Sequence, residues 1–277
     1  MKSIFSPLRK DPFNSKTANG KAANSRTASQ SRINPSLANY SLTNHSLISP
    51  GLENSSIEST TSPSLNRSSL NRRLTRVQRD VLKMGALVEN SCLLAREALC
   101  DRNLESAQKI PIQDKQIDQL YRQIEVDCTH LLNLEAPVTQ DLRLVSAFMQ
   151  IVRDLERIGD YTKSISNSAI KLFPYPKHEC MDEIETMLDR CRSMVALCLR
   201  SLTELEPDAG RNIKEKDNAV DDDYDRVYSK LIQTKCGNDS VEPIVLLVLV
   251  IRALERIADH ATNVGKRVTY VVTGERA

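Results

Sequence analysis

Two stretches of sequence decide the fold: Arg153-Asp-Leu-Glu-Arg-Ile-Gly-Asp160 and Arg252-Ala-Leu-Glu-Arg-Ile-Ala-Asp259, which lie 99 residues apart. They differ at only two of their eight positions. A second motif precedes each of them, Asp114-x3-Asp118-x2-Tyr121 and Asp217-x3-Asp221-x2-Tyr224, at an offset of 103 residues. Two motifs that recur at nearly the same distance indicate two copies of one unit within the chain.

The sequence around both stretches predicts long amphipathic helices. Apolar residues recur in steps of three and four, which is the spacing of the buried face of a helix in a bundle. In the first copy this seam is Phe148, Ile151, Leu155, Ile158, Thr162, Ile165, Ala169 and Leu172, and in the second it is Leu247, Val250, Leu254, Ile257, Ala261, Val264, Val268 and Val271.

Composition and proline placement extend this prediction to the whole chain. Aromatic residues make up 4% of the sequence, Trp is absent and Gly occurs only 8 times, which disfavours a β-sandwich or barrel. Six prolines after residue 72 are expected to lie outside the long periodic segments, because a proline inside a helix costs about 3 kcal/mol. They bracket six expected helices, at 73–103, 111–134, 138–172, 179–206, 210–235 and 241–273. We therefore expect an all-α protein.

The chain is predicted to have three parts. Residues 1–71 are rich in Ser and Asn, and we expect a disordered tail. A five-residue register around 33–47 is similar to pentapeptide repeats, but Pro35, Tyr40 and His45 replace the residue that would fill the core of such a coil. The first three-helix repeat is expected at 72–175 and the second at 176–274.

Several functional classes are disfavoured by the sequence. Residues 71–277 carry a slight excess of acidic residues, which argues against a nucleic-acid surface. The seven cysteines are expected to be buried thiols in a reducing cytosol, and no secretory signal or membrane-length apolar run is visible, so we expect a cytoplasmic protein that is at most peripheral to a membrane. No nucleophile triad or nucleotide-binding loop is recognisable, and we expect no enzyme.

The repeated carboxylates are the candidate functional residues. Each copy holds two acidic pairs at i, i+4, where like charges repel: Asp114/Asp118 with Glu156/Asp160, and Asp217/Asp221 with Glu255/Asp259. A compensating cation is implied, supplied either by nearby Arg residues or by a metal ion. The heptad positions predict that these carboxylates line the outer surface, where the second and third helices of each copy lie side by side.

The type of metal follows from the donors. A ferritin-type di-iron site is disfavoured, because it needs a Glu-x-x-His spacing in the bundle core and none occurs; His260 follows Asp259 and points elsewhere. A site made of carboxylate oxygens suits hard cations such as Fe, Mn or Mg, with Zn possible.

The arginines of the motif have two interpretations. They can pair with neighbouring carboxylates, or they can bind a phosphate or a partner protein's carboxylate. Arg153 and Arg252 fall at an outward heptad position and are candidate partner-binding residues. Arg157 directly follows Glu156, and we expect it to reach a neighbouring helix rather than that residue.

The stretches Leu155-Glu-Arg-Ile-Gly-Asp-Tyr161 and Leu254-Glu-Arg-Ile-Ala-Asp-His-Ala-Thr-Asn-Val264 resemble the paired acidic signatures of the PhoU family, and Pro137-Val-Thr-Gln-Asp-Leu-Arg143 resembles another family segment. The resemblance covers about residues 72–274. It implies two three-helix bundles, commonly in a homodimer, with iron or zinc clusters on the acidic motifs. It also implies a negative regulator that couples the ABC phosphate importer, through its ATPase, to a phosphate-sensing histidine kinase.

The second copy departs from this pattern. It carries Val241-Glu-Pro-Ile-Val245 where the first has the Pro137 segment, and Ala253 where the first has Asp154, so the two sites can differ in their ligands. Two alternatives remain open: a metal-storage or metal-sensing helical protein without a transporter partner, and a helical adaptor whose acidic pairs only form salt bridges.

Overall fold

The computed structural model of the chain describes residues 63–134, 137, 139–234 and 240–275. Every regular element in these ranges is an α-helix, in agreement with the predicted fold class. The six helices are α1 (Pro63–Leu99), α2 (Leu104–Leu134), α3 (Thr139–Leu172), α4 (Met181–Glu204), α5 (Ala209–Gln233) and α6 (Glu242–Thr273). The predicted disorder of the tail concerns residues that lie almost entirely outside the described ranges.

The two predicted seams form the centre of the molecule. Every residue of the α6 seam is buried, and every residue of the α3 seam is buried except Leu172, which is partly buried. Phe148, the largest buried side chain, belongs to the α3 seam. Burial of a full Leu, Ile or Phe side chain contributes about 1.5–3 kcal/mol, so these continuous seams account for much of the folding free energy.

The two repeats pack against each other. Helices α1, α2 and α3 contact one another in the first repeat, and both α4 and α5 contact α6 in the second. The most extensive contact joins α3 to α6 across the repeats, and α1 also contacts α4. The helical body, Glu58–Ala277, is therefore one compact unit. Helix α2 packs only on α1 and α3, and α5 only on α4 and α6, so α2 and α5 occupy separate flanks.

Helix α1 begins ten residues before the predicted start at residue 73. Leu70, Leu74, Val77 and Val81 are buried at i, i+4, i+7 and i+11, so the apolar face of the helix continues into the Ser- and Asn-rich sequence. Packing against the bundle outweighs the low helix propensity of Ser and Asn. The predicted helix start at residue 73 had been based on the Ser- and Asn-rich composition before it.

The second helix was predicted to begin at Pro111, but this proline lies inside α2. A proline at this position has no N–H to donate to the carbonyl of Ala107, four residues earlier. The hydroxyl of Ser166 on α3 donates to that carbonyl instead, at 2.9 Å. Because the freed acceptor is satisfied by a buried side chain, the helix can begin about two turns earlier, at Leu104. Asn103 accepts there from the N–H groups of Glu105 and Ser106.

The cysteines agree with the prediction where they are described. Six are free and buried; the seventh, Cys236, lies outside the described residues. The thiols of Cys191 and Cys198 donate to the carbonyls of Leu254 and Ala261 and tie α4 to α6. Burial raises the pKa of Cys92 to about 12, so this thiol is unreactive at neutral pH. None of the described helices has an apolar stretch long enough to span a membrane.

Candidate functional site

The four predicted carboxylates of the first repeat come together where α2 lies beside α3. Burial raises the pKa of Glu156, and the negative charges of its neighbours raise it further, namely Asp160, Asp118 and Asp114. Arg157 opposes this effect. Burial and, after it, the neighbouring negative charges therefore both disfavour the ionised form of Glu156 in this cluster, which we call the first acidic cluster.

Asp114 does not lie on the outer surface as predicted. Its side chain is 5% exposed, and it sits over Gly159, where a Cβ atom would lie 4.0 Å from Asp114 Oδ1. The small residue at position 159 lets α2 approach α3 closely enough to enclose the carboxylate. The ammonium of Lys163 compensates its charge at 2.5 Å.

The second repeat builds a matching second acidic cluster between α5 and α6. The pKa of Asp221 is raised by burial first and then by the surrounding carboxylates, Asp217, Asp259 and Glu255. Lys214 lowers it. The offset between the repeats therefore places the same four acidic positions together twice, as the motif spacing predicted.

Asp217, the counterpart of Asp114, is also buried rather than exposed, with 2% of its side chain accessible. Lys214 binds its Oδ2 atom at 2.6 Å, while its Oδ1 atom is buried without a hydrogen-bond partner. A buried carboxylate oxygen without a partner is costly. It marks the point of the second cluster at which a further cation is most favoured.

The remaining cluster carboxylates are accessible, as predicted. Asp160, Asp259 and Asp221 have between 42% and 48% of their side chains exposed, while Glu156 and Glu255 have about a fifth. Each cluster thus has one buried aspartate at its base and a rim open to solvent.

The arginines divide between pairing and exposure. Arg157 contacts Glu156 at 3.6 Å and Asp160 at 3.3 Å, so the expectation that it could not reach Glu156 is wrong. The reason is that its long side chain folds back along the helix surface. In the second repeat Arg256 contacts Asp259 at 3.4 Å, and Arg252 binds Glu255. Arg153 is exposed and lies near Tyr121, where its charge opposes the rise in the Tyr121 pKa that the hydrogen bond to Glu125 causes.

Sequence reasoning missed the two lysines. Lys163 lies one turn after Asp160, and Lys214 lies one turn before Asp217, so a search for cations within a turn of the motif would have found them. They are not equivalent: the repeat offset places Thr262 at the position of Lys163, and Pro111 at the position of Lys214. The carboxylates repeat, but the compensating cation comes from α3 in one cluster and from α5 in the other.

His260 lies outside both clusters, as predicted. Its Nδ1 atom is 2.8 Å from Oδ1 of Asp154 on α3. Within the described parts of the chain, no group of three Asp, Glu, His or Cys side chains is arranged to hold a metal ion. The clusters offer the oxygen donors that a hard cation prefers, and one oxygen of Asp217 has no hydrogen-bond partner. The ammonium groups of Lys163 and Lys214 bind the two buried aspartates.

Comparison with known proteins follows the same division into repeats. The PhoU domain model matches the chain twice, at residues 81–169 and 184–268. A phosphate-specific transport system accessory protein PhoU homolog from Synechocystis is 53% identical over 203 residues, covering 73% of this chain and 91% of that protein.

Two solved structures share the fold. The phosphate transport system regulatory protein PhoU from Streptococcus pneumoniae superposes with a TM-score of 0.70 at 28% identity, over 75% of this chain and 99% of that one. PhoU from Pseudomonas aeruginosa gives a TM-score of 0.71 at 30% identity, over 74% and 99%. The match therefore covers nearly the full length of both structures.

Proposed function

Because the chain belongs to the PhoU family, we propose that it is a non-enzymatic regulator of phosphate uptake and of the phosphate-starvation response. Its relatives are named as accessory and regulatory proteins of phosphate transport, and the coarser role, regulation of phosphate transport, follows from them. The finer proposal is negative regulation, in which the protein couples the importer ATPase to a phosphate-sensing histidine kinase, in the cytoplasm and as a homodimer.

The observation that carries this proposal is the duplication of one surface on one compact helical body. Two acidic clusters with the same four carboxylates lie on separate flanks, one between α2 and α3 and the other between α5 and α6. A protein that must engage two partners, or one partner through two contacts, needs such paired surfaces. Motif arginines are exposed beside them, at Arg153 and Arg252.

The partner-facing role fits Arg153 better than Arg252. Arg153 is exposed and pairs with no carboxylate among the described residues, whereas Arg252 already binds Glu255 on its own helix. A carboxylate on a partner protein would have to compete with Glu255 for Arg252. An interface charge that is free before binding contributes more to association than one already paired.

Metal binding is the second part of the proposal. The residues that would hold the ions are Asp114, Asp118, Glu156 and Asp160 in the first cluster and Asp217, Asp221, Glu255 and Asp259 in the second. Oxygen donors suit iron, manganese or magnesium, with zinc possible. A bound ion would favour the ionised forms of Glu156 and Asp221, whose pKa values burial and then the neighbouring carboxylates raise.

The alternative function is a metal-storage or metal-sensing protein that acts without a transporter partner. It would use the same carboxylates, and the buried Asp217 oxygen without a hydrogen-bond partner supports cation binding in either case. The adaptor alternative draws instead on the ion pairs that Lys163 and Lys214 form with the buried aspartates.

A genetic experiment tests the regulatory proposal. Deletion of the gene is expected to switch on phosphate-starvation genes in phosphate-replete cells, measured as alkaline phosphatase activity. The variant Arg153→Glu is expected to do the same while its circular dichroism melting curve stays unchanged, because it replaces attraction with repulsion at the partner interface. Lys115→Glu, at an exposed site on α2, is the charge-matched control. Normal repression in the deletion strain would contradict the regulatory proposal and favour metal storage.

A further inference from the structure

A cavity of about 400 Å³ lies where the two repeats meet. Its wall is built from the last turns of α1 and α3, the connection at 173–180 and the first turns of α4 and α6. Thr234, just after α5, and Ser240, just before α6, also line it. None of the eight acidic-cluster residues lines it, so it is separate from the candidate metal centres. Its volume corresponds to about a dozen water molecules and falls within the range of small-molecule sites in proteins.

Most of the wall is apolar. Side chains from all four helices contribute, among them Leu99, Leu172, Met181, Ile244 and Leu247. The ring of Phe173 adds an aromatic surface. An apolar wall of this size favours a ligand that carries a hydrocarbon or aromatic body, because displacing water from such a surface is favourable by about 25 cal/mol per Å².

The polar part of the wall is positively charged. Among the described residues of the wall, the charged side chains are those of Arg102 and Lys177. This contrasts with a body in which, after residue 83, acidic residues outnumber basic ones by 32 to 25. His178 also lines the cavity, and its Nδ1 atom accepts from the N–H of Cys180. The positive charge of the described part of the wall therefore comes from Arg102 and Lys177.

Arg102 is held in place before any ligand arrives. Its guanidinium donates to the carbonyls of Phe173 and Tyr175 and lies 5.1 Å above the centre of the Phe173 ring. The hydroxyl of Tyr175, which also lines the cavity, donates to the carboxylate of Glu242 at 2.6 Å. A fixed cation at the edge of an apolar cavity loses little side-chain entropy on binding an anion.

We propose that this cavity binds a small organic anion with an apolar body, and that a medium-chain carboxylate represents its ligand class. The carboxylate lies beside Arg102 and Lys177, and the chain occupies the space between the ends of α3 and α6. The site is independent of the metal clusters and of the proposed regulatory function.

The proposal is tested on the full chain with decanoate, 1-decanol and inorganic phosphate as probes, by calorimetric titration. Decanoate is expected to bind at least about tenfold more tightly than the other two, because only it satisfies both the cations and the apolar wall. Equal binding of decanol and decanoate, or of phosphate and decanoate, would overturn the proposal, as would no binding of decanoate.

Location is tested by methyl NMR of labelled methionines. Decanoate is expected to shift the Met181 methyl resonance, which lies at the cavity wall, and to leave Met84, buried elsewhere in the core, unchanged. Lys177→Gln is expected to weaken decanoate binding about threefold, whereas the exposed Lys115→Gln leaves it unchanged. Ala169→Phe places a large side chain in the cavity and is expected to abolish decanoate binding. A Met84 shift without a Met181 shift places the ligand elsewhere and refutes the site.

Discussion

Nδ1 of His260 on α6 lies 2.8 Å from Oδ1 of Asp154 on α3, and this hydrogen bond joins the two repeats at their most extensive contact. At the equivalent positions of the other repeat, Tyr161 replaces His260 and Ala253 replaces Asp154. The hydrogen bond is therefore made once rather than twice. A carboxylate can only accept, and the proton therefore lies on Nδ1.

Removing this bond is expected to loosen the joint between the repeats. Asp154→Ala and His260→Ala should each lower the free energy of unfolding by about 1 kcal/mol, and the double variant by clearly less than their sum, because both remove the same interaction. Chemical denaturation of the four proteins measures this coupling. Strictly additive losses would show that the two side chains act independently.

Pro111 and Ser166 should be coupled in the same way. Ser166→Ala leaves the carbonyl of Ala107 buried without a donor and is expected to cost about 1–3 kcal/mol. In a Pro111→Ala background, the restored N–H can donate to that carbonyl and the cost should fall. Ser168→Ala is the control, because Ser168 donates within its own helix to Ser164. An equal cost of Ser166→Ala in both backgrounds would contradict this account of the proline.

Pro111 and Ser166 also show which structural features the sequence could not predict. The heptads of α3 and α6 predicted the seams, because a helix that buries one face must place apolar residues every three or four positions. The proline rule failed at Pro111, because the donor that replaces the lost hydrogen bond, Ser166, comes from another helix. A rule based on neighbouring residues cannot predict a hydrogen-bond donor that lies 55 residues after the proline.

The candidate site divides similarly. Motif spacing predicted that the four carboxylates of each repeat are neighbours, and they lie together in the structure, because offsets along paired helices preserve neighbours. It placed Asp114 and Asp217 on the surface, although close helix approach at Gly159 encloses the first of them. The distance between two helices depends on the size of the residues on both of them. A heptad assignment for one helix gives no information about this distance.

Two glycines are expected to respond oppositely to alanine. At Gly159 the nearest atom to an added Cβ is Ile117 Cδ1 at 3.4 Å, an ordinary contact, and the second repeat carries Ala258 there. Gly159→Ala should therefore be neutral or stabilise by up to about 1 kcal/mol. At Gly265 the Cβ would meet Ile213 Cδ1 at 2.7 Å and the Ala209 carbonyl at 3.2 Å, so Gly265→Ala should cost about 1–3 kcal/mol. Thermal melts compare the two; a reversed order would show that α5 and α6 are not closely packed.

Lys163 is expected to stabilise the metal-free protein. Lys163→Met leaves Asp114 buried without its partner and should lower the free energy of unfolding by about 1–3 kcal/mol. Saturating Mn²⁺ should recover more stability in this variant than in the wild type, because the ion can then take the place of the ammonium. The exposed Lys171→Met is the matched control. An equal Mn²⁺ effect in all three proteins would argue against an ion at Asp114.

The accessible carboxylates provide the last test. Replacing Glu156 and Asp160 together with alanine should reduce the iron, manganese or zinc retained by the purified protein after loading, measured by elemental mass spectrometry. Stability should change little, because burial and then the charges of its neighbours raise the pKa of Glu156, and removing this carboxylate relieves both unfavourable effects. Glu204→Ala with Asp208→Ala removes two exposed carboxylates, at the end of α4 and just before α5, that lie outside both clusters, and this variant should leave metal content unchanged. Wild-type protein that retains no metal under any loading condition would reject the metal site and leave the ion-pair adaptor. Equal loss in both double variants would assign the metal to surface charge, because only a specific site distinguishes Glu156 and Asp160 from carboxylates elsewhere.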